Sequence, residues 1–256
     1  MELSKEALSD FLNFNYEKFN NPDFIDNDPI SIPHRFTKKE DIEISGFLSA
    51  TIAWGKREMI IKNAIKMMEL LDNAPYEFII NHNESDLNSI KNFTHRTFNL
   101  IDFKFFIQSL QNIYINKGGL ENVLFFKETD TTSFNAIITF YNIFFDIDHP
   151  NRSTKHVSNP AKGSAAKRLN MFLRWMIRKD TKGVDFGIWK KGNPAKLIMP
   201  LDIHTGNVSR KLGLLKRKQN DWKAAEELTS NLKQFSNEDP VKYDFALFGL
   251  GVNQEI

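Results

Sequence analysis

The chain has 256 residues, of which 41% are hydrophobic, and this length is enough for one large domain or two small ones. It contains no cysteine, which excludes disulfide bonds, thiolate catalysis and cysteine-ligated zinc or iron–sulfur clusters. The formal net charge is only +2. The N-terminus has no apolar signal segment, and no uncharged apolar run approaches the roughly 18 residues of a membrane helix, so we expect a soluble, cytoplasmic protein.

Helical periodicity dominates the chain. Apolar residues recur every three or four positions in Ile60–Leu71, Phe103–Tyr114 and Phe134–Phe144. The alternation typical of strands is nearly absent, and short extended pieces are expected only at Pro29–Pro33 and Leu197–Leu201. The sequence therefore predicts an all-α protein of about ten helices.

Positive charge is concentrated in residues 151–218. This segment holds 17 Lys and Arg and three acids, a formal charge of +14, so the rest of the chain carries −12. A concentrated positive face is typical of proteins whose partner bears phosphates. The acidic and basic parts predict two helical lobes of one domain, residues 1–256, with a cleft between them.

The segment from Asn159 begins as a turn and continues as a basic amphipathic helix. Pro160, Gly163 and Ser164 suit a tight turn, and helical spacing begins at Ala165. Backbone N–H groups at a helix start, next to cations, favour a bound phosphate, whereas an ordinary solvated basic face is the alternative. The residues predicted to bind nucleic acid here and in the following segment are Lys162, Gly163, Ser164, Arg168, Arg174, Arg178, His204 and Arg210.

Asp202 is an isolated acid in this basic segment. Apolar residues follow it at helical spacing, so it is a natural helix N-cap. A purely structural cap is one interpretation, and a chemical role is the other. His204 is likewise either an acid/base group or a packed side chain. No HExxH pattern, carboxylate cluster, P-loop or dinucleotide-binding motif is present, so we predict no metal and no cofactor.

The residues LDIHTGNVSRKLGL (201–214) resemble the signature of the helix-hairpin-helix DNA glycosylase superfamily, in which Asp-x-His-x-x-x-Val/Ile-x-Arg-x-Leu follows a hairpin. The helix Phe47–Met68 and the closing YDFALFGLG from Tyr243 are similar to an early helix and the last core helix of that family. The resemblance covers most of Phe47–Gly251. It implies the family's all-α fold, with the hairpin and catalytic segment at residues 159–214.

The resemblance also implies a DNA-repair glycosylase with lyase activity on double-stranded DNA, without an iron–sulfur cluster. Asp202 matches the family's catalytic carboxylate, and Lys167 matches the lysine that forms a Schiff base with the sugar. Lys162 and Lys182 are alternatives for the lysine. The chain looks most like the archaeal 8-oxoguanine glycosylase branch, in which a lysine opens the helix after a degenerate hairpin. That branch implies an oxidised purine as the substrate base.

A base that is extruded from the duplex needs an aromatic wall to stack on. The candidates are Trp54, Trp175, Trp189 and Phe245, although large aromatic residues in a chain with 23 Phe also form the core.

The sequence departs from the glycosylase pattern in two places. The usual hairpin Leu-Pro-Gly-Val-Gly is replaced by Asn159-Pro160-Ala161-Lys162-Gly163, and Thr51 stands where the family has Gln. A non-catalytic nucleic-acid-binding protein on the same fold is therefore the alternative, and a protein-interaction scaffold is a third hypothesis. The runs GSAAKRLNMFLRWM and PLDIH also resemble a bacterial family of uncharacterised proteins, which implies no activity.

Overall fold

The structure is a computed structural model that describes residues 4–255. The helices in that range are α1 Lys5–Phe19, α2 Asp23–Asp26, α3 Lys39–Thr51, α4 Arg57–Glu69, α5 Pro75–Asn81, α6 Glu84–Ser89, α7 Leu100–Asn116, α8 Leu120–Val123, α9 Phe134–Phe144, α10 Lys167–Ile177, α11 Ile203–Lys211, α12 Trp222–Leu232 and α13 Asp244–Val252. Short 3-10 helices cover Pro29–Ser31, Pro33–Arg35, Asn151–His156, Pro160–Lys162, Pro194–Lys196 and Pro240–Tyr243. The strands are β1 Thr94–His95 and β2 Phe98–Asn99.

The predicted all-α class is confirmed, since the strands described between residues 4 and 255 form only one two-stranded antiparallel hairpin. The long periodic segments are helices, and α9 has the bounds that its spacing predicted. Thirteen α-helices are described where about ten were expected, because several are short and lack a long apolar stripe. None of the described helices is both long enough and apolar enough to cross a membrane.

The two expected extended pieces do not form strands. Pro29 begins a 3-10 helix because the side chain of Asp28 accepts a hydrogen bond from the backbone N–H of Ile30 at 3.0 Å. Leu197–Leu201 is buried but has no strand partner. The expectation of an extended piece was therefore wrong at Pro29–Pro33, whereas Leu197–Leu201 is non-helical and begins with an extended residue, Leu197 at φ −67° and ψ 150°, without sheet pairing.

The chain divides into two compact units. The second unit comprises Ile25–Phe125 and Ala136–Ser158. Its core is a cluster of phenylalanines from three helices: the ring of Phe106 on α7 lies 5.9 Å from that of Phe47 on α3 and 4.7 Å from that of Phe144 on α9. Burying such rings is the main stabilising term for this unit, because each removes a large apolar area from water.

The first unit contains the chain up to Phe24, Phe126–Asn135 and the chain from Asn159 onward. Its central helix, α13, packs against α1 and α11. A Cβ on Gly249 would lie 2.4 Å from the ring of Phe19, and one on Gly251 would lie 2.9 Å from Cβ of His204. These glycines therefore allow α1 and α11 to approach α13 closely, and all of the predicted segment 159–214 lies in this unit.

Candidate active site

Asp202 caps the N-terminus of α11. Its backbone is extended, and its Oδ1 accepts a hydrogen bond from the backbone N–H of Thr205 at 3.0 Å. The predicted N-cap is therefore confirmed. The side chain is nevertheless 23% exposed, and its other oxygen, Oδ2, faces Lys167.

A sharp turn places Lys167 at the first position of α10. Gly163 has a φ of 85°, in the left-handed region that favours glycine. Ser164 Oγ accepts a hydrogen bond from the backbone N–H of Ala166 at 3.2 Å, and Ala166 has a φ of 48°. Because Ala166 is not helical, α10 begins at Lys167 and not at Ala165, where helical spacing starts.

Lys167 and Asp202 contact each other. Their Nζ and Oδ2 atoms lie 3.8 Å apart, and the two side chains are 24% and 23% exposed. The same Nζ lies 5.9 Å from the ring centre of Phe248 on α13 and 3.4 Å from Sδ of Met171. A part-exposed ion pair of this kind adds little stability. Its amine and carboxylate, however, lie close enough to act on one ligand atom.

Arg174 and Asp244 lie on the same helices as Lys167 and Phe248, which are α10 and α13. Arg174 follows Lys167 by two turns of α10, and its Nη1 lies 2.5 Å from Oδ2 of Asp244. Asp244 precedes Phe248 by one turn of α13, and Phe248 contacts Lys167. Since residues four and seven apart share a helix face, both contacts use the same face of α10 and the same face of α13.

Asp244 is a buried carboxyl whose pKa is raised. Burial raises its pKa to about 6, while the charges of Arg174 and Lys167 act to lower it, and those of Asp202 and Asp185 act to raise it. The same residues that form the exposed ion pair therefore influence the ionisation of this buried group.

The prediction that Arg174 and Arg178 bind DNA is wrong. The two residues are only 3% and 1% exposed. Asp185 pairs with Nε of Arg174 at 3.3 Å and with Nη1 of Arg178 at 3.0 Å. Arg178 also pairs with Asp180 at 2.6 Å and with Asp239 at 2.8 Å. Burial acts to lower the pKa of Arg178, and these carboxylates outweigh it and raise the pKa. Neither guanidinium is available to a phosphate in this structure.

Three of the four predicted base-stacking residues belong to the core. Trp175 and Phe245 are fully buried, and Trp189 is 4% exposed, so the prediction is wrong for them. Trp54 is half-buried in the second unit, where its ring stacks on that of His156. Its role stays a prediction.

The other residues predicted to bind DNA are exposed or half-buried. Arg210 is partly held, since its guanidinium donates to the carbonyl oxygens of Arg217 and Lys218 at 2.9 Å. Burial lowers the pKa of Arg168 to about 10. The exposed or half-buried set comprises Lys162, Gly163, Ser164, Arg168, His204 and Arg210. Their contact with DNA stays a prediction.

The alternative lysines lie in different surroundings. Lys182 pairs with Glu17 on α1, and Lys162 is exposed in the turn before Gly163. Among the ion pairs of residues 4–255, the one that includes Asp202 is with Lys167. The geometry therefore favours Lys167 over both alternatives as the partner of Asp202.

The first unit has cavities near the predicted segment. One of about 490 Å³ lies beside the Gly163 turn and is lined by residues that include Phe134, Trp222 and Glu226. Another, of about 500 Å³, lies at one side of α11 and includes His204 and Lys211. Neither is lined by Lys167 or Asp202. No three His, Asp or Glu side chains within residues 4–255 come together so as to hold a metal ion.

Sequence reasoning missed two residues of this site, Asp244 and Phe248. A signal was present in YDFALFGLG, because one acid stands in an otherwise apolar helix and an aromatic residue follows it by one turn. An acid in such a position needs a partner. The partner, Arg174, is 70 positions away, so the sequence alone could not supply it.

Comparison with known proteins identifies the chain at the level of family. Residues 28–253 match the family described as "Protein of unknown function (DUF2400)", and the chain belongs to that family. No curated protein and no solved structure matches it significantly. The match agrees with the expected resemblance to an uncharacterised family. The resemblance to the DNA glycosylases stays a prediction.

Proposed function

We propose that this protein is a DNA-repair glycosylase with lyase activity, of the helix-hairpin-helix type. The observation that carries the proposal is the 3.8 Å contact between Lys167 Nζ and Asp202 Oδ2. The two residues are separated by 35 positions in the sequence, and they match the lysine and the carboxylate of the glycosylase family. Both are part-exposed at the starts of helices, so one extruded sugar can contact both.

The proposed reaction uses the amine and the carboxylate at C1′ of the extruded nucleotide. The neutral amine of Lys167 attacks C1′, and the bond from C1′ to the base breaks with its electron pair leaving on the base, which takes up a proton. The Asp202 carboxylate stabilises the positive charge that develops on the sugar. Opening of the sugar ring then gives an imine between Lys167 and C1′, which borohydride reduces to a stable bond.

The resemblance to the archaeal branch supports an oxidised purine in double-stranded DNA as the substrate. Phe248 is the aromatic ring next to the Lys167 amine, and it replaces the buried aromatic residues as the candidate for stacking on the base. Lys162 and the Gly163 turn precede the pair and are proposed to contact the phosphate backbone, where lysine charges release counterions.

A non-catalytic nucleic-acid-binding protein is the second candidate. The turn before α10 favours it, because Pro160–Lys162 is a single 3-10 turn followed by one glycine, where the usual glycosylase hairpin has two. Such a protein would keep salt-dependent affinity for DNA without forming an imine. The Lys167–Asp202 contact would then be an ordinary surface ion pair.

Borohydride trapping on duplexes that carry 8-oxoguanine, uracil or an abasic site tests the proposal. We expect the wild type to form a covalent adduct with at least one of them and Lys167→Gln to form none, because the attacking amine is gone. Lys182→Gln is the matched control, because it removes one lysine charge outside the proposed DNA contacts, and it should trap as the wild type does. Lys162→Gln removes a proposed phosphate contact but keeps the attacking amine, so it should still form the adduct.

The outcomes separate the candidates. If the adduct persists in Lys167→Gln and is lost in Lys162→Gln or Lys182→Gln, the lysine replaced in that second variant is the nucleophile. If the wild type forms no adduct on any duplex but binds DNA with an affinity that falls steeply with salt, the binding protein is correct.

A further inference from the structure

A basic hollow lies where the loop after α11 leads into α12. Its volume is about 560 Å³, and the proposed chemistry does not use it. The residues that line it are Lys216, Arg217, Lys218, Gln219, Lys223 and Glu227. Four of them are cations and one is an acid, which gives the lining a formal charge of +3.

The lysines of this hollow differ from the buried arginines of α10, because no carboxylate pairs with them. Asp221 pairs with Arg217, where Oδ1 and Nε lie 2.7 Å apart. Glu227 accepts a hydrogen bond from the backbone N–H of Lys216 at 2.7 Å and so holds the chain. The exposed lysines that form no ion pair within residues 4–255 are Lys216, Lys218 and Lys223. Their charge is therefore open to a partner.

The loop that carries these lysines is braced by α11. Arg210 donates from Nε to the carbonyl oxygen of Arg217 and from Nη2 to that of Lys218, both at 2.9 Å. Its Nη2 also donates to Oδ1 of Asn220 at 2.6 Å. Because the backbone of the loop is already fixed, binding a ligand here costs less conformational entropy than ordering a mobile loop.

The same loop contacts two parts of the candidate active site. Asn220 donates from Nδ2 to the carbonyl oxygen of Asp202 at 3.1 Å. Trp222 follows the loop at the first position of α12, and its backbone N–H donates to the carbonyl oxygen of Gly163 at 3.1 Å. A duplex that reaches the start of α11 and the Gly163 turn therefore also comes close to this loop.

The chemistry of the loop fits a phosphate backbone better than it fits a protein or a lipid surface. In the described part of the chain, none of the exposed large hydrophobic side chains lies in residues 216–223. Protein interfaces have apolar or aromatic cores and few lysines, and membrane-surface segments add apolar side chains to basic ones. Lysine and glutamine side chains, in contrast, commonly donate to the phosphate oxygens of DNA.

We infer that this hollow, braced by Arg210, binds backbone phosphates of a DNA duplex beside the nucleotide that contacts Lys167 and Asp202. The link to that nucleotide rests on the proposed function, whereas the charge and the bracing of the hollow do not. A lysine that neutralises a phosphate releases counterions, so each contact adds to the salt dependence of binding. It does so for any base sequence, because phosphates carry no sequence information.

DNA binding followed by fluorescence anisotropy over a range of salt concentrations tests this inference with the double variant Lys216→Gln/Lys218→Gln. The slope of log K against log salt should become shallower by about 2, because two phosphate contacts are lost. The loss of affinity should be the same on an intact duplex and on one that carries 8-oxoguanine. Since both lysines are exposed, thermal unfolding should match that of the wild type.

Lys5→Gln/Lys233→Gln is the matched control, because it removes two lysine charges from the same unit outside the hollow. It should keep the slope of the wild type. Arg210→Lys tests the brace, because it keeps the charge but loses the fork of donors that holds the loop. We expect its affinity for DNA to fall by about threefold or more. Wild-type affinity in Arg210→Lys would overturn the role of the brace.

The results distinguish this inference from the proposed function. An unchanged slope in Lys216→Gln/Lys218→Gln, or an equal change in the control, would overturn the inference even if the wild type traps an imine. Weaker binding of this variant to phosphatidylserine vesicles, together with unchanged DNA binding, would make the hollow a lipid site and also overturn it. A wild type that traps no imine, with the expected loss of slope in the variant, removes the glycosylase proposal and leaves the phosphate site standing.

Discussion

The two ends of α10 carry the same kind of charge in the sequence but lie in opposite surroundings. At the N-terminal end, Lys167 meets one carboxylate, Asp202, and both side chains are about a quarter exposed. At the C-terminal end, Arg174 and Arg178 are buried among carboxylates, including Asp185, which is fully buried as a side chain. One helix therefore holds a part-exposed ion pair at one end and a buried charge network at the other.

The difference shows that formal charge along a sequence does not locate a binding face. The +14 segment includes both arginines, yet their charge is neutralised inside the protein by acids from other parts of the chain. A buried ion pair stabilises little in comparison with apolar packing, but removing one partner is costly because the other charge stays buried. An exposed pair also stabilises little, but removing one of its partners costs little because the other charge stays in water.

Removal of Arg178 is expected to have the largest effect. Arg178→Gln leaves Asp185 buried with less compensation and also removes the partner of Asp180 and Asp239, so the free energy of unfolding should fall by about 3 to 5 kcal/mol. Urea unfolding followed by circular dichroism measures this. A loss below about 1 kcal/mol would mean that the network is no more important than a surface ion pair.

The titration of Asp244 is expected to change the free energy of unfolding by less than the removal of Arg178 does. Its folded pKa of about 6 lies above the value of about 3.9 for an unfolded Asp. Between these values the folded state binds more protons, so the contribution of this group to stability is lost as pH rises from about 4 to 6, by up to about 3 kcal/mol.

The Asp244→Asn variant lacks that titration. The difference in free energy of unfolding between the wild type and the variant should therefore shrink as pH increases from about 4 to about 7. Urea unfolding of both proteins across this range tests it. A difference that stays constant or grows with pH would show that burial does not raise the pKa of Asp244.

Substitution at the exposed pair is expected to change stability least. Asp202→Asn keeps a side-chain oxygen that caps α11, so the free energy of unfolding should change by less than about 0.5 kcal/mol. Base excision, if the proposed function is correct, should fall by orders of magnitude because the carboxylate charge is lost. Thermal unfolding and a base-release assay give the two readouts.

Asp221 offers a matched control, because its side chain caps α12 by accepting from the backbone N–H of Ala224. Asp221→Asn should leave excision unchanged. Normal excision by Asp202→Asn would make Asp202 a cap with no chemical role, like Asp221.

Local features of the fold were predictable from the sequence. The 3–4 spacing of apolar residues placed α7 and α9, and the acid before Ile203 placed the start of α11. The left-handed Ala166 was not predictable, since alanine strongly favours helical backbone, and the start of α10 was therefore assigned two residues early.

The candidate site was predictable only where the glycosylase signature applied. Lys167 and Asp202 were singled out by resemblance, and the structure brings them together. Arg174 and Arg178 are buried because acids far along the chain pair with them. Asp244 lies 70 positions after Arg174, and Asp239 lies 61 positions after Arg178. Helical spacing placed both arginines on the basic face of α10, and nothing local indicated that acids from the C-terminal part would cover it.

The late position of these acids has a consequence for synthesis on the ribosome. When α10 emerges, the carboxylates of Asp239 and Asp244 have not yet been made, and at about 5 to 20 residues per second they follow only after about 3 to 14 s. During that interval Arg174 and Arg178 lack two of the partners that hold them in the folded protein. In a nascent chain that ends before α13, these two guanidinium groups are therefore less neutralised than in the finished protein, and completing α13 supplies the missing carboxylates.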